Sequence, residues 1–131
     1  MKNILNKTTL LFLAAAITLT ACNRQEDEIA GKGGKATIKA TPKHHDINID
    51  SCTIHLKYNA SDMPSSYDEE VKCVMENGKP VATFTDLKKG KYYLYGEGWD
   101  PNIEQKVVGG TPFAITEEKT YEINVPVTEG D

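Results

Sequence analysis

The stretch "VKCVMENGKPVATF", Val71–Phe84, decides how the chain is read. Asn77 and Gly78 tolerate positive φ better than other residues, and a two-residue type I′ turn needs positive φ at both central positions. With Glu76 and Lys79 flanking that turn, counting outward sets Cys73 opposite Ala82 and Val71 opposite Phe84. All four share one side and all are apolar, so the window predicts a β-hairpin with one buried face.

The same period of two recurs on both sides of the hairpin. "KATIKA" aligns Ala36, Ile38 and Ala40, and "SCTIHLKYN" aligns Cys52, Ile54, Leu56 and Tyr58 against Thr53, His55, Lys57 and Asn59. "TYEINVPVT" aligns Tyr121, Ile123, Val125 and Val127, while Pro126 removes a backbone donor and predicts an edge position for that strand's end. After the hairpin, Phe84 and Leu87 point inward, Lys88-Lys89-Gly90 turns, and Tyr92 and Leu94 point inward on the next strand. "GEGWDPN" and the later "GG" read as loops from their glycine and proline content. No window carries a sustained helical period. The expectation is an all-β domain over residues 35–131, an antiparallel Greek-key sandwich of about seven strands with turns every 8–12 residues.

"ATFTDLKKGKYYLYGEGWDP" resembles the strand–turn–strand of transthyretin-like (prealbumin-like) sandwiches, the group with carboxypeptidase regulatory-like and collagen-adhesin B-like domains. Their pattern F-x-x-L-x-x-G-x-Y-x-L is met by Phe84, Leu87, Gly90, Tyr92 and Leu94, and "GGKATIKATP" fits their first strand. The resemblance implies a fold and leaves function open. The hydroxyisourate hydrolases of that group end in Tyr-Arg-Gly-Ser, whereas this chain ends "VPVTEGD".

The N-terminal region has a different character. Lys2 and Lys7 precede an uncharged run, Leu10–Leu19, which is shorter than the about 20 residues a membrane-spanning helix needs. A basic start, a short apolar middle and a small-residue exit predict a secretory signal peptide over residues 1–21. The run closes on "LTAC", which resembles a bacterial lipobox. The resemblance implies that Cys22 becomes the mature N-terminus and carries a diacylglyceryl thioether on its sulfur, a palmitate-type acyl anchor in the outer membrane. Residues 22–34, with "NRQEDEIAGKGG" after the cysteine, hold too little apolar surface to fold and predict a flexible tether. The acidic cluster Glu26-Asp27-Glu28 resembles the surface-export signal of Bacteroidota lipoproteins, which implies an exported chain, displayed at the cell surface or otherwise facing the periplasm.

Removing residues 1–21 takes away two lysines and no acid, so the formal charge goes from −4 to −6. An acidic domain argues against nucleic acid, whose phosphates want a basic stripe. With Cys22 assigned to lipid, Cys52 and Cys73 remain as an even pair in an exported chain, open to a disulfide or to burial as small apolar thiols.

Catalytic constellations are sparse. His44-His45-Asp46 and His55 lack the convergence a metal site wants, so no metal or other cofactor is expected. Ser65-Ser66 and Asp68-Glu69-Glu70 fall in one polar loop, without a nucleophile elbow or a calcium-loop spacing. The remaining feature is aromatic. Tyr93 and Tyr95 take the outer phase of their strand and Trp99 follows, a stripe suited to sugar rings or protein partners. The expected function is therefore non-catalytic: a lipid-anchored envelope protein displaying a binding module for a glycan, a peptide or an envelope partner. A structural accessory subunit of an outer-membrane complex is the alternative. A small hydrolase or metal protein using His44, His45 or the acidic loop ranks behind both.

Overall fold

The computed structural model describes residues 29–130; the signal peptide, Cys22 and most of the tether lie outside the described residues. Ten strands follow in order: β1 (Lys32–His44), β2 (Ile47–Asn48), β3 (Ser51–Tyr58), β4 (Glu69–Lys72), β5 (Val74–Glu76), β6 (Lys79–Leu87), β7 (Gly90–Asp100), β8 (Gln105–Ile115), β9 (Thr120–Pro126) and β10 (Thr128–Glu129). One sheet runs β2-β1-β6-β5, with β9 added along β1; the other runs β10-β8-β7-β3-β4. The expected all-β sandwich is what forms, from ten strands rather than seven, and with one parallel pair, β1–β9.

The period-two pattern explains the core. Ala36, Ile38 and Ala40 of β1 and Ala82, Phe84 and Leu87 of β6 meet Ile54 and Leu56 of β3 and Tyr92 and Leu94 of β7 in one buried cluster. Tyr121 and Ile123 pack against it from β9. Four of the five residues of the F-x-x-L-x-x-G-x-Y-x-L pattern carry a side chain, and all four are in that cluster. The fifth, Gly90, has φ 145° and passes so close to Ala30 that a Cβ there would stand 2.8 Å from its backbone nitrogen. Tyr92 brings a polar end into this core and satisfies it: its hydroxyl accepts the Gly31 amide at 2.9 Å and donates to the Lys88 carbonyl at 2.7 Å.

The hairpin turn forms as expected, with φ 51° at Asn77 and 81° at Gly78. Its arms are shorter than the sequence count suggests. Pairing covers only Val74–Val81, Met75–Pro80 and Glu76–Lys79. Before that, the chain belongs to the other sheet: Val71 stands opposite Ile54, not Phe84. The Cys73 amide donates to the Cys52 carbonyl at 2.9 Å, so Cys73 does not face Ala82. Alternation orients Val71 and Cys73 toward the interior whichever sheet their strand joins, so periodicity alone does not choose the partner.

Two expected loops are strand. β7 runs on to Asp100, which puts Trp99 on a strand rather than in a loop, and β8 passes unbroken through Gly109-Gly110. The glycines serve close approach. A Cβ on Gly109 would stand 2.3 Å from the Pro126 carbonyl oxygen, and one on Gly110 would stand 2.7 Å from the Tyr93 ring. Pro126 ends β9, an outer strand of its sheet as expected, and the chain then crosses to pair β10 with β8.

Tyr92→Phe keeps the ring and strips the buried Gly31 amide and the part-buried Lys88 carbonyl of their partner. It should lower the unfolding free energy by about 1–3 kcal/mol, whereas Phe84→Ala, which opens a cavity, should cost about 3–5 kcal/mol. Urea unfolding measures both.

Candidate functional site

The candidate site is built on the outward face of β3, β4, β7 and β8. Register sets its rows. Glu70, His55, Tyr95 and Gly110 stand side by side; the next row toward Trp99 is Lys72, Thr53, Glu97 and Val108; Ser51, Trp99 and Lys106 follow. Tyr93, opposite Lys57 and Pro112, lies on the other side of the Tyr95 row.

The three expected aromatics do not form one exposed stripe. Tyr93 is only 7% exposed. Its ring lies across Gly110, the one residue type that leaves room there, and burial pushes its phenol pKa up. Tyr95 is half-buried. Tyr67, from the loop between β3 and β4, stacks on it with centroids 5.8 Å apart and 18° between planes, and also meets His55 at 5.2 Å. Burial raises the Tyr67 phenol to about 12. The sequence reading missed Tyr67, which sits in a polar segment, "SDMPSSYDEE", with no period to mark it. Trp99 remains 48% exposed and is the aromatic surface left to a ligand.

Trp99 borders an open groove of about 510 Å³ lined by Ser51, Thr53, His55, Glu70, Lys72, Glu97 and Lys106. Polar side chains approach one another across it: His55 Nε2 lies 3.2 Å from Glu97 and Nδ1 3.5 Å from Glu70, and Lys106 reaches Glu97 at 3.3 Å. The arrangement offers carboxylate acceptors, ammonium and hydroxyl donors and one flat apolar platform, all at an accessible surface.

The other titratable groups named by the sequence are committed elsewhere. Asp68 accepts the Tyr58 amide at 2.8 Å, and Glu69 accepts the Tyr58 hydroxyl at 2.6 Å. These bonds hold the end of the loop between β3 and β4 onto the sheet at the point where β4 begins; Glu69 and Glu70, read from the sequence as loop, are the first residues of that strand. Among the described residues, no group of three or more His, Cys, Asp or Glu side chains is placed to hold a metal ion. Cys52 is buried and Cys73 half-buried, both as free thiols.

His44 is the larger surprise. Read as part of a polar loop, it is the last residue of β1 and is buried. Its Nδ1 lies 2.7 Å from Asp100 Oδ2, while Asp100 Oδ1 accepts the Asn102 amide at 2.9 Å. Its Nε2 lies 3.4 Å from Glu129 of β10. His45, with φ 60° in the following turn, brings its ring within 4.4 Å of the His44 ring. The hydrogen bond to Asp100, followed by the Glu129 charge, holds the His44 pKa above its ordinary 6.5 against the opposing effect of burial. The same bond, with the Asn102 amide, holds Asp100 below its ordinary 3.8. This buried pair pins the β1–β2 turn to the end of β7. Enclosed as it is, it serves the fold rather than the groove.

The stability contributed by the pair has a defined pH window. The His44 share is complete below pH 6.5 and is lost as pH rises through its raised folded value; the Asp100 share is complete above pH 3.8 and is lost as pH falls through its lowered folded value. The thermal midpoint should therefore be higher at about pH 5 than at about pH 9, and the difference should shrink in Asp100→Asn. Melting curves of both proteins across that range test it.

No protein-family profile, no curated protein and no solved structure matches this chain, so the groove's chemistry is read from its own side chains.

Proposed function

We propose that this is a lipid-anchored envelope protein whose sandwich binds a glycan, without catalysis, in the groove beside Trp99. The carrying observation is the pairing of one exposed indole with a groove walled by Glu70, Glu97, Lys72 and Lys106. Sugar rings present an apolar face that stacks on indole and a rim of hydroxyls that both donate and accept. The charged side chains along the groove offer such a rim hydrogen-bond partners beside the indole.

The position of the groove supports the same reading. The chain enters the sandwich at Gly31, whose amide meets the Tyr92 hydroxyl. Trp99 lies seven residues further along β7, which at strand rise is about 23 Å away. On a chain acylated at Cys22, with residues 23–29 as tether, since Ala30 is already buried in the core and β1 opens at Lys32 instead of at residue 35, the groove sits at the end of the sandwich away from the anchor. We read the sandwich as transthyretin-like on the buried Phe84, Leu87, Tyr92 and Leu94 pattern; the parallel β1–β9 pair is its departure from an all-antiparallel version. An accessory subunit would need a broad apolar face. Among the described residues, the large exposed apolar side chains are instead divided among Ile29 before β1, Ile47 on β2, Met63 in the loop between β3 and β4, Val74 and Met75 on β5, Trp99 on β7 and Ile103 in the turn after it.

Glycan-array screening followed by calorimetry tests the binding. Trp99→Ala should weaken binding about tenfold or more, since losing an aromatic stack costs about 0.5–1.5 kcal/mol beyond its buried area. Tyr93→Phe should leave it unchanged. An array without a hit would sink the glycan reading. The anchor has its own test. Cells fed labelled palmitate should label the protein, and Cys22→Ser should abolish both the label and membrane retention. Retained label in Cys22→Ser would contradict acylation at that sulfur.

A further inference from the structure

Cys52 and Cys73 stand at the one place where the chain passes from β4 in one sheet to β5 in the other. The β3–β4 ladder pairs Thr53 with Lys72, so its next step sets Cys52 opposite Cys73, and the Cys73 amide donates to the Cys52 carbonyl at 2.9 Å. Directly opposed residues of an antiparallel pair share a face. In a hydrogen-bonded pair their Cα atoms are about 5.5 Å apart, inside the about 4.4–6.8 Å that a disulfide spans. The two thiols differ in access: Cys52 is 4% exposed, while Cys73 is only half-buried at the margin of the core.

We propose that Cys52 and Cys73 are a thiol–disulfide exchange site, with Cys73 the attacking sulfur and Cys52 the resolving one, that locks β4 to β3. The oxidant is a disulfide, RS–SR, supplied by a small molecule or by a disulfide-bearing protein of an oxidising compartment. The Cys73 thiolate attacks one sulfur of RS–SR, forms Cys73–S–S–R and expels RS⁻. Cys52, losing its proton to solvent, then attacks the Cys73 sulfur, forms the Cys52–Cys73 bond and expels the second RS⁻. The two cysteine sulfurs are oxidised by two electrons, and RS–SR is reduced to two thiols. The order follows from access: the half-buried Cys73 can be reached by RS–SR, while Cys52 is enclosed.

The lock acts at one edge of the sheet. β4 is a four-residue edge strand held by β3, yet it carries Glu70 and Lys72 of the groove. A bridge would close the loop over residues 53–72 and fix that edge. The exchange chemistry stands whether or not the groove binds a glycan.

The test uses the full chain, reduced and then exposed to oxidised glutathione, with intact mass and peptide mapping that keeps any Cys22 adduct apart. Wild type should lose the mass of two hydrogens as a Cys52–Cys73 peptide. Cys52→Ser should trap glutathione on Cys73, and Cys73→Ser should take up glutathione at Cys52 far more slowly. Amide exchange over residues 69–72 should slow, and the thermal midpoint should rise by about 10 °C, on oxidation. Two free thiols persisting in wild type under excess oxidised glutathione would overturn the site, a readout that depends on no variant folding. Faster trapping at Cys52 than at Cys73 would overturn the assigned order.

Discussion

Exclusion of water from the space between β1–β6 and β3–β7 is the constraint from which the rest of the structure follows. Ile38, Phe84, Leu87, Ile54, Leu56, Tyr92 and Leu94 are all essentially inaccessible. Each such side chain contributes about 1.5–3 kcal/mol relative to exposure. Because successive residues of a strand face opposite ways, burying Ile54 and Leu56 turns Thr53, His55 and Lys57 outward. Burying Tyr92 and Leu94 likewise turns Tyr93, Tyr95 and Glu97 outward. The groove is thus the complement of the core, and its polarity is what the core left over.

Close backbone approach then decides which outward groups stay wet. Gly110 admits the Tyr93 ring across β8, and the loop held by Asp68 and Glu69 lays Tyr67 on Tyr95. Aromatic area is spent on covering the sheet near one end and left free at the other, beside Trp99. Gly98 keeps that other end compact, since a Cβ there would stand 2.6 Å from the Ser51 carbonyl oxygen. The His44–Asp100 pair secures the same end from inside.

Alternation was legible, and with it the class of fold, the inward set and the Asn77-Gly78 turn. Partner choice was not. The run Val71–Glu76 reads as one strand, yet it serves two sheets with the break at Cys73, and Glu69 and Glu70, read as loop, open β4. Periodicity reports the face of a residue and is silent on its neighbour. Glycine misled in a second way: "GEG" and "GG" suggest turns, whereas Gly96, Gly98, Gly109 and Gly110 lie within β7 and β8. That error moved Trp99 and Asp100 into a loop and hid the His44–Asp100 pair, whose members lie 56 residues apart. Of the candidate site, Trp99 was foreseen as exposed; Tyr93 was foreseen as exposed and is covered; Glu70, Glu97, Lys72 and Lys106 came together only through strand register. The Cys52–Cys73 juxtaposition arises from the break in that run.

Methyl-resolved nuclear Overhauser spectroscopy addresses the shared interior most directly. The account requires cross-peaks linking the methyls of Ile54, Leu56 and Leu94 on one sheet to Ile38, Phe84 and Val125 on the other. It also requires the Trp99 indole to have no cross-peak to any of them. Absence of the inter-sheet set, or a Trp99 ring in contact with it, would contradict the two-layer arrangement and the groove that depends on it.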